Sequence, residues 1–259
     1  YFTTEEGDVP PSGSAELAAF RKRMLGIPAT PQTAESFDFV VVGGGIAGMC
    51  AAAAASRLGC SVALVNDRPV LGGNNSSEVR VHLGGVIEVG PNKGLGRMIR
   101  EFGHSRGGNA QPAGNYEDAK KEEFIAAEKN VALFAGCRAV AVNTTGGRIA
   151  SVVVRHIETG EETLLEAPLF ADCTGDGTVG FLAGADFRMG RESRDEFGEE
   201  LAPAAADRMT MGSSVQWYSV DAGKKTDFPV FSYGLRFDET NCEKVTMGEW
   251  KWETGMNLD

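Results

Sequence analysis

The spacing of apolar and polar residues changes several times along this chain, and each change marks an element. Residues 37–42 are a continuous apolar run after a polar stretch, the pattern of a strand buried on both faces of a parallel sheet. Residues 46–58 read as a helix, and Ala51 to Ala55 give it a surface of minimal side chains that can lie close to a sheet. Gly59 closes this helix and residues 61–65 form a second strand, so a βαβ unit with a right-handed crossover is predicted. Two helices follow at 94–102 and 116–129, separated by a glycine-rich loop at 103–115. Beyond them, residues 131–134, 139–143, 148–157, 162–166 and 169–172 alternate or run apolar. Turn signals stand at Thr145-Gly146-Gly147 and Glu158-Thr159-Gly160. That pattern predicts an antiparallel meander inserted in a parallel sheet. Upstream, residues 14–25 form a short helix with Ser14 as N-cap, bracketed by Pro10, Pro11, Pro28 and Pro31. Beyond Gly190 the pattern weakens into a charged segment at 191–200 and strand-like pieces at 213–220 and 230–237. The expected class is α/β, Rossmann-like, with residues 1–35 as a lead-in, 36–190 as the main domain, and 191–259 as the start of a mixed α+β substrate region.

Composition narrows the possible partners. At 259 residues and 42% hydrophobic, the chain can bury one large core and begin a second. With 36 acidic against 25 basic residues its net charge is -11, which disfavours nucleic acid and anionic membrane surfaces, since phosphates are neutralised by clustered Lys and Arg. The five cysteines, Cys50, Cys60, Cys137, Cys173 and Cys242, contain no C-x-x-C pair. They predict neither a disulfide framework nor a metal site, and fit a reducing, cytoplasmic setting. No apolar run is long enough to span a bilayer. The chain opens on Tyr1 and not on Met, which leaves a processed leader open.

The most informative stretch is Gly43-Gly44-Gly45-Ile46-Ala47-Gly48. It satisfies G-x-G-x-x-G between a predicted strand and a predicted helix, the context in which that motif binds a dinucleotide. Gly43 permits the tight turn, Gly45 lets a pyrophosphate approach the backbone, and Gly48 lets helix and strand pack with nothing between them. The N–H groups at Ile46 and Ala47 then open the helix toward the phosphates. Where such folds place an acidic residue for the adenosine ribose, this chain has Asn66, followed by Asp67. Either could meet the hydroxyls, and Asp67 could equally be a turn residue before Pro69.

The turn alone does not separate FAD from NAD(P). After the second strand, however, the chain continues Arg68-Pro69-Val70-Leu71-Gly72-Gly73-Asn74, then two helices, then the meander, then Ala171-Asp172-Cys173-Thr174-Gly175-Asp176-Gly177. In this the chain resembles the bacterial FAD-dependent oxidoreductases that have a glutathione-reductase-like FAD-binding domain, over roughly residues 37–190. Gly184-Ala185 and Met189-Gly190-Arg191-Glu192 extend the likeness. The resemblance implies FAD as cofactor and pyrophosphate contact at Gly43, Gly45 and Gly48. It implies an adjoining loop at Gly72 and Gly73, and a segment that returns to the cofactor at Gly175 and Asp176. It also implies a flavin-covering segment after a substrate region. None is read before Asp259, so the chain is expected to be a fragment.

Flavin chemistry resides in the isoalloxazine ring, so the protein need supply few reacting groups. By the resemblance, residues 74–82 run toward the ring. If extended, they place Glu78, Arg80 and His82 on one face, with Arg80 and His82 as near-flavin candidates. A satisfied surface strand is the alternative. His104 and Arg106 are second candidates in a polar loop, His156 reads as solvated, and Cys173 reads as a packing residue. No metal site is expected. The expected function is hydride transfer between a small-molecule substrate and bound FAD. The alternatives are an NAD(P)-linked dehydrogenase and a non-catalytic FAD-binding module.

Overall fold

A computed structural model describes residues 14–84, 88, 90, 91, 93, 94, 96–103, 108–211, 222–225, 227 and 232. Contacts divide the chain into two units, Tyr1–Tyr218 and Ser219–Asp259, and every element named below lies in the first. The expected strand at 213–220 lies outside the described residues, as does that at 230–237 except for Ser232, a turn position.

The glycine turn sits between strand β2 (Phe39–Val42) and helix α2 (Ile46–Arg57), and strand β3 (Val62–Asn66) follows. β2 pairs in parallel with β3 on one side and with β8 (Leu169–Asp172) on the other, and β3 pairs in parallel with β4 (Val131–Ala135). The sheet order β4-β3-β2-β8 is therefore parallel throughout. A second sheet, ordered β1-β7-β6-β5, contains the meander: β5 (Cys137–Thr145), β6 (Arg148–His156) and β7 (Glu162–Glu166) pair antiparallel. β1 (Thr33–Ser36) adds in parallel to β7.

Two expectations change here. Residues 131–134 and 169–172, read as meander strands, belong to the parallel sheet. A short apolar run states that a strand is buried but not which neighbour it joins. β1 was read as part of the lead-in. All four of its residues are exposed, so no alternation marks it, and pairing with β7 alone makes it a strand.

Continuous apolar runs in β2 and β3 follow from burial on both faces. One face packs Val41, Val62 and Leu64 against Met49, Ala52 and Ala53 of α2, with Phe102 of α3 (Arg97–Phe102) and Phe124 and Ile125 of α4 (Asp118–Ala126). The other packs Val40, Val42, Ala63 and Val65 against Ala139, Val152, Val154 and Leu165 of the second sheet and Val179 of α5 (Thr178–Leu182). The result is three layers, helices on a parallel sheet on a meander, with the mouth of the glycine turn at the carboxyl end of β2.

The N-terminal helix α1 (Ser14–Met24) is held by an ion pair, Lys22 Nζ to Glu162 Oε2 at 2.8 Å. Glu162 is 1% exposed and also accepts from the Arg155 guanidinium at 2.6 Å. Burial alone would raise its carboxyl. Hydrogen bonds from Lys22 and Arg155 outweigh burial and hold the carboxyl below the usual range.

Candidate functional site

Three loops converge on the amino end of α2. The first is the glycine turn itself. A side chain on Gly43 would collide with the Cys173 carbonyl, and one on Gly48 would collide with the carbonyl oxygen of Gly43. The turn is thus closed backbone on backbone, with Cys173 N–H donating to Val42 O at 2.7 Å and Gly43 N–H to Val65 O at 2.8 Å. Gly45, the residue before α2, makes no side-chain cap, and the first turn of the helix carries no acidic residue. Those opening N–H groups carry the positive end of a twelve-residue helix, an arrangement suited to a phosphate anion.

The second loop crosses the first at right contact distance. Gly72 N–H donates to Gly44 O at 2.9 Å, a bridge joins Gly45 to Gly72, and a side chain on Gly73 would stand 3.0 Å from Gly45 Cα. Beyond this crossing, residues 74–80 wind into turns. Ser76 Oγ donates to Gly73 O at 2.7 Å, Arg80 N–H donates to Ser76 O at 2.8 Å, and Arg80 takes a positive φ of 63°. The extended segment expected to align Glu78, Arg80 and His82 on one face is therefore not formed. Their side chains diverge: Glu78 accepts from Arg68 at 3.0 Å, Arg80 Nε donates to Ser77 O at 2.8 Å, and His82 Nδ1 meets Asn109 Oδ1 at 2.7 Å. The physical reason is the density of short polar residues from Asn74 to Ser77, whose side chains bond neighbouring backbone and favour turns over strand.

Residues that the sequence reading did not single out pin this loop from below. Lys121 is fully buried, and its stem packs under Gly72, where a side chain would come within 2.8 Å of Lys121 Cδ. Its ammonium donates to the Tyr116 carbonyl and lies 3.7 Å from Asp118. Burial pushes this amine below the ordinary lysine range, against the opposing pull of Asp118 and Glu117. Asp118 accepts from Ser77 N–H at 3.1 Å, and the buried Tyr116 hydroxyl donates to Arg80 O at 2.6 Å. In the sequence, Lys120-Lys121-Glu122-Glu123 looks like the solvated face of a helix, so no signal set Lys121 apart.

The third loop is the return segment after β8. Its organiser is Asp172, a motif residue to which the sequence alone assigned no role. Thr174 N–H and Oγ–H donate to Asp172 Oδ1, while Val179 and Gly180 N–H donate to Oδ2 at 2.7 and 3.0 Å. Burial would raise this carboxyl, but the bonds from Thr174, Gly180 and Val179 prevail and keep it low. Asp172 thereby tethers the start of α5. Asp176 is exposed and makes no hydrogen bond among the described residues. With Arg21, Lys22, Arg155 and Thr178 it lines an open cleft of about 550 Å3 between α1, the meander and α5. A side chain on Gly175 would meet nothing within 4 Å, so the backbone there is open to an approaching group.

At the ribose position, Asn66 is buried. Its amide donates to Arg68 O at 2.9 Å and Val70 O at 3.2 Å, and its side chain lies against Gly44. Asp67 is more open and pairs with Arg138 at 3.0 Å. Burial raises the Cys173 thiol, with Asp172 adding to the effect, which suits packing and not thiolate chemistry. His156, expected to be solvated, holds the β6–β7 turn, where its Nδ1 accepts from Glu158 and Thr159 N–H at 3.3 and 3.2 Å. His104 and Arg106 lie outside the described residues. Among the described residues no acidic, His or Cys cluster is placed to hold a metal, and no helix is long and apolar enough to cross a membrane.

A parallel sheet with a glycine-lined helix mouth at its carboxyl edge, crossed by a second glycine pair, defines a Rossmann-like dinucleotide-binding domain. The family described as FAD dependent oxidoreductase matches residues 38–255, and the chain belongs to it. FAD is the cofactor. The site's donor set agrees: the uncapped backbone N–H groups at the start of α2 suit a diphosphate, and the first turn of that helix carries no carboxylate.

Among solved structures, the chain is similar to THI4 of Thermovibrio ammonificans, with 17% identity over 74% of this chain and 81% of that one and a TM-score of 0.43. It is also similar to a geranylgeranyl bacteriochlorophyll reductase-like protein of Thermoplasma acidophilum, at 18% identity, 59% and 43% coverage and a TM-score of 0.39. A third is the myxobacterial chondrochloren halogenase CndH, at 19% identity, 54% and 37% coverage and a TM-score of 0.39. The chain spans less than half the length of the last two.

Proposed function

We propose that this chain forms the cofactor-binding core of an enzyme that moves hydride between a small organic substrate and FAD. The observation behind this reading is the crossing of Gly44-Gly45 by Gly72-Gly73 at the uncapped mouth of α2. There the N–H groups of Ile46, Ala47 and Gly48 would grip the diphosphate, with Gly43 and Gly45 closing the turn. Gly72, Gly73 and Asn74 would flank it, Arg68 would stand at the rim, and Asn66 or Asp67 would face the adenosine ribose. Asp67 is the better placed of these two, because the Asn66 amide is engaged by its own loop. Gly175 and Asp176 would return to the cofactor. When bound, FAD supplies the two-electron chemistry.

Arg80 and His82 are the groups proposed to face the substrate beside the ring. Both are held by a loop locked to α4 and to residues 108–111, which gives the rigidity a reacting group needs. The FAD-binding domain is proposed to span residues 36–190, and the substrate region to begin at 191. A reducing, cytoplasmic compartment is proposed from the free cysteines Cys50, Cys60, Cys137 and Cys173.

The test is anaerobic reduction of the FAD-loaded chain by panels of alcohols, amines and carboxylic acids, followed at the flavin absorbance bands and repeated in His82→Gln. A substrate that bleaches the flavin in the wild type and at least tenfold more slowly in His82→Gln supports the reading. A flavin that no donor reduces and no acceptor reoxidises would overturn it in favour of a structural cofactor.

A further inference from the structure

Asn109 lies in the loop beside the proposed reacting histidine and makes two bonds through one atom. Asn109 Oδ1 is 3.1 Å from His82 N and 2.7 Å from His82 Nδ1. The backbone N–H can only donate, so the atom facing it must be the amide oxygen and not the amide nitrogen. That oxygen carries no hydrogen, so Nδ1 must carry one. The tautomer of His82 is thereby determined by chemistry: Nδ1 is N–H and Nε2 holds the lone pair. Nε2 has no hydrogen-bond partner among the described residues and stands over the bare Cα of Gly84, where a side chain would come within 3.6 Å of it. His82 forms no ion pair among the described residues, and the nearby Arg80 guanidinium is tied to Ser77 O.

We propose that Asn109 is the positioning residue of His82, holding its imidazole as the Nδ1–H tautomer with Nε2 presented as a proton acceptor for substrate. This rests on the proposed function of the site. In the oxidative direction a substrate X–H bond breaks, and its proton goes to Nε2. The adjacent hydrogen would leave as hydride with its electron pair, which FAD would accept when bound, and C=X would form. The resulting imidazolium keeps its Nδ1–H bond to Asn109, so accepting the proton requires no rearrangement of the ring.

The protein carries an internal reference. His156 Nδ1 accepts from two backbone N–H groups, so His156 must be the opposite, Nε2–H tautomer. Long-range proton–nitrogen NMR of the FAD-loaded full chain, labelled at its three histidines, reads both tautomers in one spectrum, with His82→Gln assigning the signals. At a pH where the rings are neutral, His82 should show a protonated Nδ1 and a bare Nε2, and His156 the reverse. Asn109→Leu should shift the His82 tautomer ratio toward Nε2–H by about fivefold, the effect of one ordinary net hydrogen bond, while leaving His156 unchanged. Asn109→Asp should retain the Nδ1–H form, since a carboxylate oxygen also accepts from Nδ1–H.

An Nε2–H signal for His82 in the wild type, or an Asn109→Leu spectrum identical to wild type, would refute the role of Asn109. Flavin reduction unchanged in His82→Gln would instead remove His82 from the reaction and leave the pairing with Asn109 standing. The two failures are thus separable.

Discussion

Replacing Gly48 with alanine adds one methyl group at the point where α2 meets the glycine turn. It would fall inside the van der Waals sphere of the Gly43 carbonyl oxygen, 3.1 Å from its carbon and 3.3 Å from Cys173 Cβ. The first two of these are backbone atoms, already tied through Gly43 N–H to Val65 O, so no rotamer change relieves the overlap. The start of α2 must move instead, by on the order of 1 Å. Overpacking of this kind costs about 1–3 kcal/mol, and at about 2–4 °C per kcal/mol for a domain of this size the melting temperature should fall by about 2–12 °C. The effect on FAD should be larger than on folding. A displacement of that size takes N–H donors out of the 2.7–3.2 Å range, and losing about two bonds to a charged diphosphate removes roughly 3 kcal/mol, more than a hundredfold in Kd.

Thermal unfolding of the apo chain and titration with FAD by flavin fluorescence quenching measure the two effects separately. Gly59→Ala is the control. Gly59 has a φ of +95° with nothing within 4 Å of an added side chain, so the variant should lose about 1–2 kcal/mol of stability through backbone strain and retain its FAD affinity. A Gly48→Ala chain that binds FAD as tightly as wild type would refute the close-packed turn as the cofactor's grip.

Lys121→Ala should cost about 2–5 kcal/mol in chemical denaturation, because it empties a fully buried site under Gly72. Lys121→Met, which keeps the stem but loses the bond to the Tyr116 carbonyl, should cost about 1–3 kcal/mol. Equal stability of the alanine variant and wild type would show that the loop needs no support from α4. Glu162 has a folded-state carboxyl held below its unfolded value, so its stabilisation is complete above about pH 4.3 and is lost as pH falls through the lower, folded value. Glu162→Gln should therefore lose about 1.5–3 kcal/mol at pH 7 and converge on wild type in strong acid. A stability difference that does not depend on pH would contradict the ion-pair account.

Much of the fold could be read from periodicity. The βαβ unit around the glycine turn appears within two residues of its expected bounds, because β2 is apolar throughout, β3 is apolar up to Asn66, and α2 contains the alanine run. The hairpin between β5 and β6 turns where Thr145-Gly146-Gly147 placed it. Gly48 is needed for a local reason, since a side chain there would meet the Gly43 carbonyl five residues away, whereas Gly43 itself is crowded by the Cys173 carbonyl from a distant strand.

What the sequence by itself determined, then, is which segments are buried, which turn sharply, and where a diphosphate would meet bare N–H groups. Only the tertiary structure assigned β4 and β8 to the parallel sheet and made a strand of the wholly exposed β1. It alone turned Asn74 to Arg80 into wound turns, buried one lysine of a charged helix, and gave Asp172 the task of tethering α5. These outcomes depend on contacts between residues far apart in the chain, such as Thr33 with Thr163, Ser77 with Asp118 and His82 with Asn109. Hydrophobic period and turn chemistry act over a few residues, whereas the partner of a polar side chain is chosen by whatever the folded chain brings beside it.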